Sequence, residues 1–237
     1  MDANGLKFSE KTEPAKYADW VSLLREDSAY LRQSPAPAYW ALAPYYVGQY
    51  TGCACSLASA VMVVNAACAD RARSAGSRLI TQQQLLDAVG STEWRTEVGH
   101  DGGQGVGLSH LGRLLDGSMK AVGAQAAEIE TVPLQRGSAE ALAAFRRALR
   151  DSEAGPGRFI IANYYMATVI GDGDYGHFSP VGAYDAARDR VLILDVYRVE
   201  LEPYWVPVER LFAGMATVSR ADGEPRGYLA IRLAGPP

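Results

Sequence analysis

Gln49-Tyr50-Thr51-Gly52-Cys53-Ala54-Cys55 runs directly into Leu57–Ala67, an apolar stretch of helical character. The join puts a cysteine at the opening of a helix and a carboxamide six residues upstream of it. A helix N-terminus offers unpaired N–H groups and the positive end of the macrodipole, and both favour a thiolate. Cys55 is therefore the candidate nucleophile. The Gln49 amide and the Cys55 backbone N–H are the candidate donors of an oxyanion hole. The helix, expected over 55–70, is apolar on nearly every face and reads as central and buried.

Far downstream stand Gly176-His177-Phe178-Ser179-Pro180 and Leu192-Ile193-Leu194-Asp195, an imidazole and a carboxylate on separate strand-like runs. Thiol, imidazole and carboxylate are the groups of nucleophilic acyl transfer: one attacks, one moves the proton, one orients the ring. Cys53-Ala54-Cys55 lacks the spacing and companion ligands of a structural zinc site. Cys53 and Cys68 read as bland, and His100 and His110 as surface or loop residues.

Bulk composition narrows the class. The 237 residues are 48% hydrophobic and 21% charged, ordinary for a globular chain with a sizeable core. A net charge of −4 gives no general attraction to nucleic acid or to an anionic membrane, so neither is an expected partner. No run approaches the roughly 18 apolar residues of a membrane span. Met1–Glu10 has no basic or apolar leader pattern, and three cysteines cannot all pair. The expected compartment is reducing, hence cytoplasmic.

Residues 15–33 read as an amphipathic helix, 39–50 as aromatic and irregular, and 91–107 as a glycine-rich loop bordering a cleft. Thr81 to Gln84 is a capping-box signal for a helix through Val89. A short helix is expected at 108–115, a strand within 120–129 and a helix over 138–151. From residue 157 strands dominate, at 159–165, 177–184, 190–196 and 228–233, interrupted by a helix at 207–217. Helices first and an antiparallel sheet last make an α+β fold of two lobes, with the catalytic cleft between them. The expected organisation is an N-terminal helix and linker over 1–38 and a catalytic domain over 39–237.

With these blocks identified, the chain resembles the phytochelatin synthase family, a papain-like group of cysteine transferases. The resemblance covers about residues 39–231. It rests on Gln49 and the blocks Cys55–Ala66, Gly107–Leu114, Gly176–Tyr184, Leu192–Arg198, Pro203–Val206 and Arg226–Tyr228. It implies Cys55 as nucleophile, His177 as its proton acceptor, Asp195 as the imidazole orienter and Gln49 as oxyanion donor. It also implies cleavage of the Cys–Gly bond of glutathione and a γ-glutamylcysteinyl thioester, passed to water or to a second glutathione. The implied partner is a small thiol peptide, glutathione or a conjugate, with a homodimer left open. No resident cofactor or metal site is implied, because heavy-metal ions enter as thiolate complexes of the substrate. Short members without a cysteine-rich C-terminal domain mainly hydrolyse.

Candidate substrate contacts are Arg198, Arg226, Ser219, Tyr50 and Tyr164. Arg198 reads equally as a ligand for a substrate carboxylate or as the partner of a neighbouring acid. Two positions depart from the family pattern. Met166-Ala167 stands where a basic residue commonly follows the strand, and Ser219 stands where an acid commonly lies seven residues before Arg226. Asp222 is a candidate replacement for that acid. These departures keep open a peptidase or amide-forming enzyme acting on another γ-glutamyl or small amide. A non-enzymatic metal binder using Cys53, Cys55 and a histidine is the third reading.

Overall fold

The computed structural model describes residues 15–69, 76–124, 127–135, 137–220 and 222–234. Among the described residues seven strands form one antiparallel sheet: β1 (Ser22–Leu23), β2 (Ala127–Pro133), β3 (Arg158–Tyr165), β4 (Gly176–Asp185), β5 (Arg190–Ile193), β6 (Tyr204–Pro207) and β7 (Gly227–Leu233). Their spatial order is β1-β6-β5-β4-β3-β7-β2. The central pair β3–β4 sets Tyr164 opposite His177.

Both faces of the sheet are covered, so β3 and β4 are buried along nearly their whole length. Alternate residues of a strand point to opposite sides. Thus Phe159 and Ile161 join one core cluster, while Ile160, Ala162 and Tyr164 join a second. The first cluster packs under α1 (Ala29–Gln33), α2 (Pro37–Leu42), α3 (Cys55–Ala67), α4 (Gln82–Val89), α5 (Thr92–Val98) and α6 (Leu108–Ala121). The second packs under α7 (Ala139–Ser152), α8 (Met166–Ile170) and α9 (Val208–Met215). The class is α+β as expected, with a helical lobe built against an antiparallel sheet.

Helix α3 is the pivot. Every residue from Cys55 to Ala66 is buried, so the helix has no solvent face and its polar side chains must be satisfied inside. Ser56 accepts from the Trp94 indole at 3.2 Å. Ser59 donates to the Phe178 carbonyl at 3.3 Å, fastening α3 to β4 one residue from His177. Asn65 bonds both backbone groups of Ile80, at 2.9 and 3.0 Å, and so ties the helix to the start of α4.

The capping box at Thr81 is present, with Thr81 and Gln84 exchanging both bonds, and the helix expected over 138–151 is α7. Other boundaries differ. Of residues 15–33 only Ala29–Gln33 is helical, because Ser22–Leu23 is instead drawn into edge pairing with β6. Residues 39–50 begin within a helix, since Pro37 opens α2 at its first turn. The glycine-rich loop is shorter than expected, because Ser91 caps α5 and Trp94 anchors it in the core. Helix α6 extends past residue 115, the expected 120–129 strand begins only at Ala127, and β5 ends at Ile193. Asp195 therefore lies beyond its strand.

Candidate active site

The turn that delivers Cys55 is stitched down from three directions. Gln82 on α4 donates to the Gly48 carbonyl at 2.8 Å, and Gln49 N–H donates to the Val196 carbonyl at 2.7 Å. From the end of α5, Val98 O accepts the Thr51 hydroxyl, Asp101 accepts the Gly52 N–H, and His100 O accepts the Cys53 thiol. Cys55 thus enters the first turn of a buried helix, itself nearly buried, and lines a cavity of about 710 Å³.

His177 lies on the same cavity wall, at the start of β4. Its Nε2 stands 3.0 Å from Asp195 Oδ1, which leaves Nδ1 as the nitrogen for the sulfur. Burial pulls the imidazole towards neutrality. The Asp195 charge and hydrogen bond, reinforced by hydrogen bonding and charge interaction with Cys55, outweigh burial and raise its pKa to about 10. Burial conversely pushes Asp195 up, but the imidazole, the Tyr197 N–H and the Tyr204 hydroxyl hold it below the ordinary carboxylate value. The pair favours imidazolium and carboxylate at neutral pH.

Asp195 is fully buried and densely bonded. Oδ1 accepts the Tyr197 N–H at 2.8 Å as well as the imidazole. Oδ2 accepts from Tyr204 at 3.0 Å and Tyr164 at 3.2 Å, and the Asp195 carbonyl accepts from Tyr46. Tyr204 carries no chemical signal of its own in the sequence, although it stands within the block Pro203–Val206.

Gln49 is buried in the turn, and both of its amide N–H groups are engaged, at 2.9 Å each, with the Thr51 and Gly52 carbonyls. Its Oε1 has no hydrogen-bond partner among the described residues. Reversing the amide would set that oxygen against two carbonyls, so the turn fixes its orientation.

The expected substrate contacts divide. Arg226 and Ser219 line the cavity. Arg226 is 5% exposed, bonds Thr217 Oγ1 at 2.9 Å and Val218 O at 2.7 Å, and stacks over Tyr165. Among the described residues no carboxylate stands within ion-pair distance of it. Burial draws its pKa below the ordinary arginine value, with Asp222 acting in the opposite sense. Gly176 lets the guanidinium approach beside His177, since a Cβ there would lie 2.7 Å from one of its nitrogens. Tyr164, by contrast, is fully buried beneath the imidazole and reaches Asp195 instead of the cavity. Arg198 is also turned elsewhere, donating to the Leu201 carbonyl at 2.8 Å and stacking on Tyr46. Tyr50 is exposed and stands outside the lining.

Asp222, the candidate replacement acid, lines the cavity as well. Several other lining residues carry no local sequence signal: Glu93, Glu97, His110 and Arg113 come from α5 and α6, and Asp174, Arg220 and Glu224 from loops. His110 is no plain surface residue: its Nδ1 meets Glu93 at 3.3 Å on the cavity wall. Gly103, Gly105 and Gly107 border the cavity, as the glycine-rich loop suggested.

A thiol at a helix N-terminus, facing an imidazole that a buried carboxylate holds, between a helical lobe and an antiparallel sheet, defines the papain-like class of thiol sites. The family model for phytochelatin synthase matches residues 23–228, and the chain belongs to that family. The match begins well before residue 39 and takes in part of β1. Glutathione gamma-glutamylcysteinyltransferase 3 of Lotus japonicus is 31% identical over 202 residues, which are 85% of this chain and 39% of that protein. Glutathione gamma-glutamylcysteinyltransferase 1 of Arabidopsis thaliana is 29% identical, over 85% of this chain and 38% of its own length. The Schizosaccharomyces pombe glutathione gamma-glutamylcysteinyltransferase is 38% identical over 72 residues, 30% of this chain and 17% of its own. The chain spans about two-fifths of the length of the two plant relatives. Among the described residues no helix is long and apolar enough to cross a membrane.

Proposed function

We propose that the protein transfers the γ-glutamylcysteinyl group of glutathione, or of a closely related thiol peptide, through a thioester on Cys55. The observation that carries this reading is the Cys55–His177–Asp195 arrangement, whose cysteine and histidine line a cavity that also holds the buried Arg226. His177 takes the Cys55 proton, and the sulfur adds to the carbonyl of the Cys–Gly bond. The resulting oxyanion is met by the Cys55 backbone N–H, with the Gln49 amide sharing one of its turn-bound hydrogens. His177 then gives its proton to the departing glycine amine. In the second half-reaction water, or the amine of a second thiol peptide, attacks the thioester and gives its proton to His177, and the C–S bond breaks to release Cys55 as the thiolate.

Arg226 supplies the charge for a substrate carboxylate. A guanidinium that is buried without a carboxylate partner gains most from an anionic ligand. Metal ions enter this scheme as thiolate complexes of the substrate, and the site of action is the cytoplasm. A second reading, another γ-glutamyl or small amide as donor, is favoured by Ser219, which puts a hydroxyl rather than a carboxylate on the wall near Arg226.

The test is intact-protein mass after exposure to glutathione. A γ-glutamylcysteinyl increment on Cys55 with release of glycine supports the first reading. No increment with glutathione, but one with another γ-glutamyl amide, moves the assignment to the second.

A further inference from the structure

Three oxygens meet beneath the imidazole: Tyr164 Oη, Tyr204 Oη and Asp195 Oδ2. The two phenols are 3.0 Å apart, Tyr204 is 3.0 Å from the carboxylate oxygen, and Tyr164 is 3.2 Å from it. An ionised carboxylate brings no proton to this triangle, so two hydroxyl protons serve three contacts. Either both phenols donate to Oδ2, or one phenol donates to the other, which itself donates to Oδ2. In each arrangement the loss of one phenol leaves the other within reach of the same oxygen.

We infer that Tyr164 and Tyr204 are interchangeable positioning residues, each able alone to keep Asp195 ionised and turned towards His177. They come from different strands, β3 and β6, which flank the β4–β5 pair. The carboxylate is thus gripped from both sides, and a shift of one strand does not release it. Neither phenol touches the cavity, and both are fully buried. Burial and the Asp195 charge drive both well above the ordinary tyrosine value, so they stay protonated donors at any working pH. The Tyr164 ring also meets the imidazole edge-on at 5.8 Å, fixing its tilt.

Other groups that face Asp195 have different duties. His177 and the Tyr197 N–H occupy Oδ1, and Tyr46 holds the backbone carbonyl. Tyr17 and Tyr175 feel the charge without bonding it, and Ser179 lies beside Tyr164. Arg198, stacked on Tyr46, is a cation on the outer side of the group. With both phenols removed, no donor described here replaces them at Oδ2. A buried carboxylate stripped of donors takes up a proton more readily, and a protonated Asp195 no longer supports the imidazolium.

The test compares Tyr164→Phe, Tyr204→Phe and the double variant. The reaction followed is alkylation of Cys55 by iodoacetamide against pH, read by mass at that residue. It needs no substrate, so its result is independent of the glutathione assignment. Each single variant is expected to slow alkylation at neutral pH by less than about fivefold. The double variant is expected to slow it by more than the product of the two, and to move the acid limb up by about one pH unit or more. A double effect equal to the product, or a lowered melting temperature with an unmoved limb, overturns the inference. If the double variant does not fold, the singles decide through the imidazole carbon resonances of His177. Retention of its imidazolium at pH 8 in both supports the inference, and loss in either ends it.

Discussion

The site has two ends, a buried carboxylate behind the imidazole and a buried guanidinium on the cavity wall, and they are built on opposite plans. At one end Asp195 has no exposure, and its carboxylate accepts from an imidazole, a backbone N–H and two phenols. At the other, Arg226 is almost as deeply buried, yet among the described residues its guanidinium has only a hydroxyl and a carbonyl as hydrogen-bond partners. The first end is saturated by the protein and needs nothing further. The second leaves charge unanswered, which a buried group tolerates only at a cost unless a ligand completes it. The contrast teaches that this fold fixes its chemistry internally and leaves substrate choice to a few wall residues.

The comparison can be broken most severely at the saturated end. Cys55→Ala is expected to abolish both the acyl adduct and glycine release, with turnover down about 10⁴-fold or more. Persistent turnover would detach the chemistry from this sulfur. Asp195→Asn is expected to lower kcat by about 10³–10⁴-fold and to bring the alkaline limb of kcat/KM down from near pH 10. The sign follows from the causes: the carboxylate raises the His177 pKa, and the burial that remains after its removal lowers it. For the same reason, His177 contributes stability that is fully present below about pH 6.5 and lost as pH rises through about 10. Thermal melts over that range should slope downward in the native protein and flatten in Asp195→Asn.

The open end answers differently. Arg226→Ala is expected to raise KM by about 10- to 100-fold with a smaller effect on kcat, the mark of a lost charge-assisted contact to a bound carboxylate. A loss confined to kcat would break the contrast. Gln49→Ala is expected to cost about 10² in kcat, and double-mutant kinetics can divide that between oxyanion support and the turn its amide holds. Arg198→Ala is the smallest, within about twofold in KM, because its guanidinium is committed to Leu201 and Tyr46 away from the cavity.

Much of the saturated end was legible in the chain. A cysteine opening an apolar helix, and a histidine and an aspartate on strand-like runs, each carry local signals that survive folding. What joins them was not legible. Tyr164 reads from the sequence as a substrate contact and Tyr204 carries no signal of its own, since their role depends on which residue lies across the sheet, and sequence periodicity does not encode strand order. Arg198 misled for the same reason, because an arginine three residues past Asp195 can turn either way. The 15–33 segment carried helical spacing at Tyr17, Trp20 and Leu24, but the open side of β6 captured Ser22–Leu23 instead. Helix α5 was obscured by the glycines that follow it, although Ser91 and Trp94 marked its cap and its anchor.

The short strand β1 has a practical consequence. It is only two residues long, and the family match starts inside it, at residue 23. Trimming the chain to that boundary would remove Ser22, the residue set opposite Trp205, and bare part of the outer margin of β6. An uncovered margin invites pairing between molecules. Because β6 also carries Tyr204, a truncation made for convenience would loosen a brace of the reaction centre from the far side of the sheet.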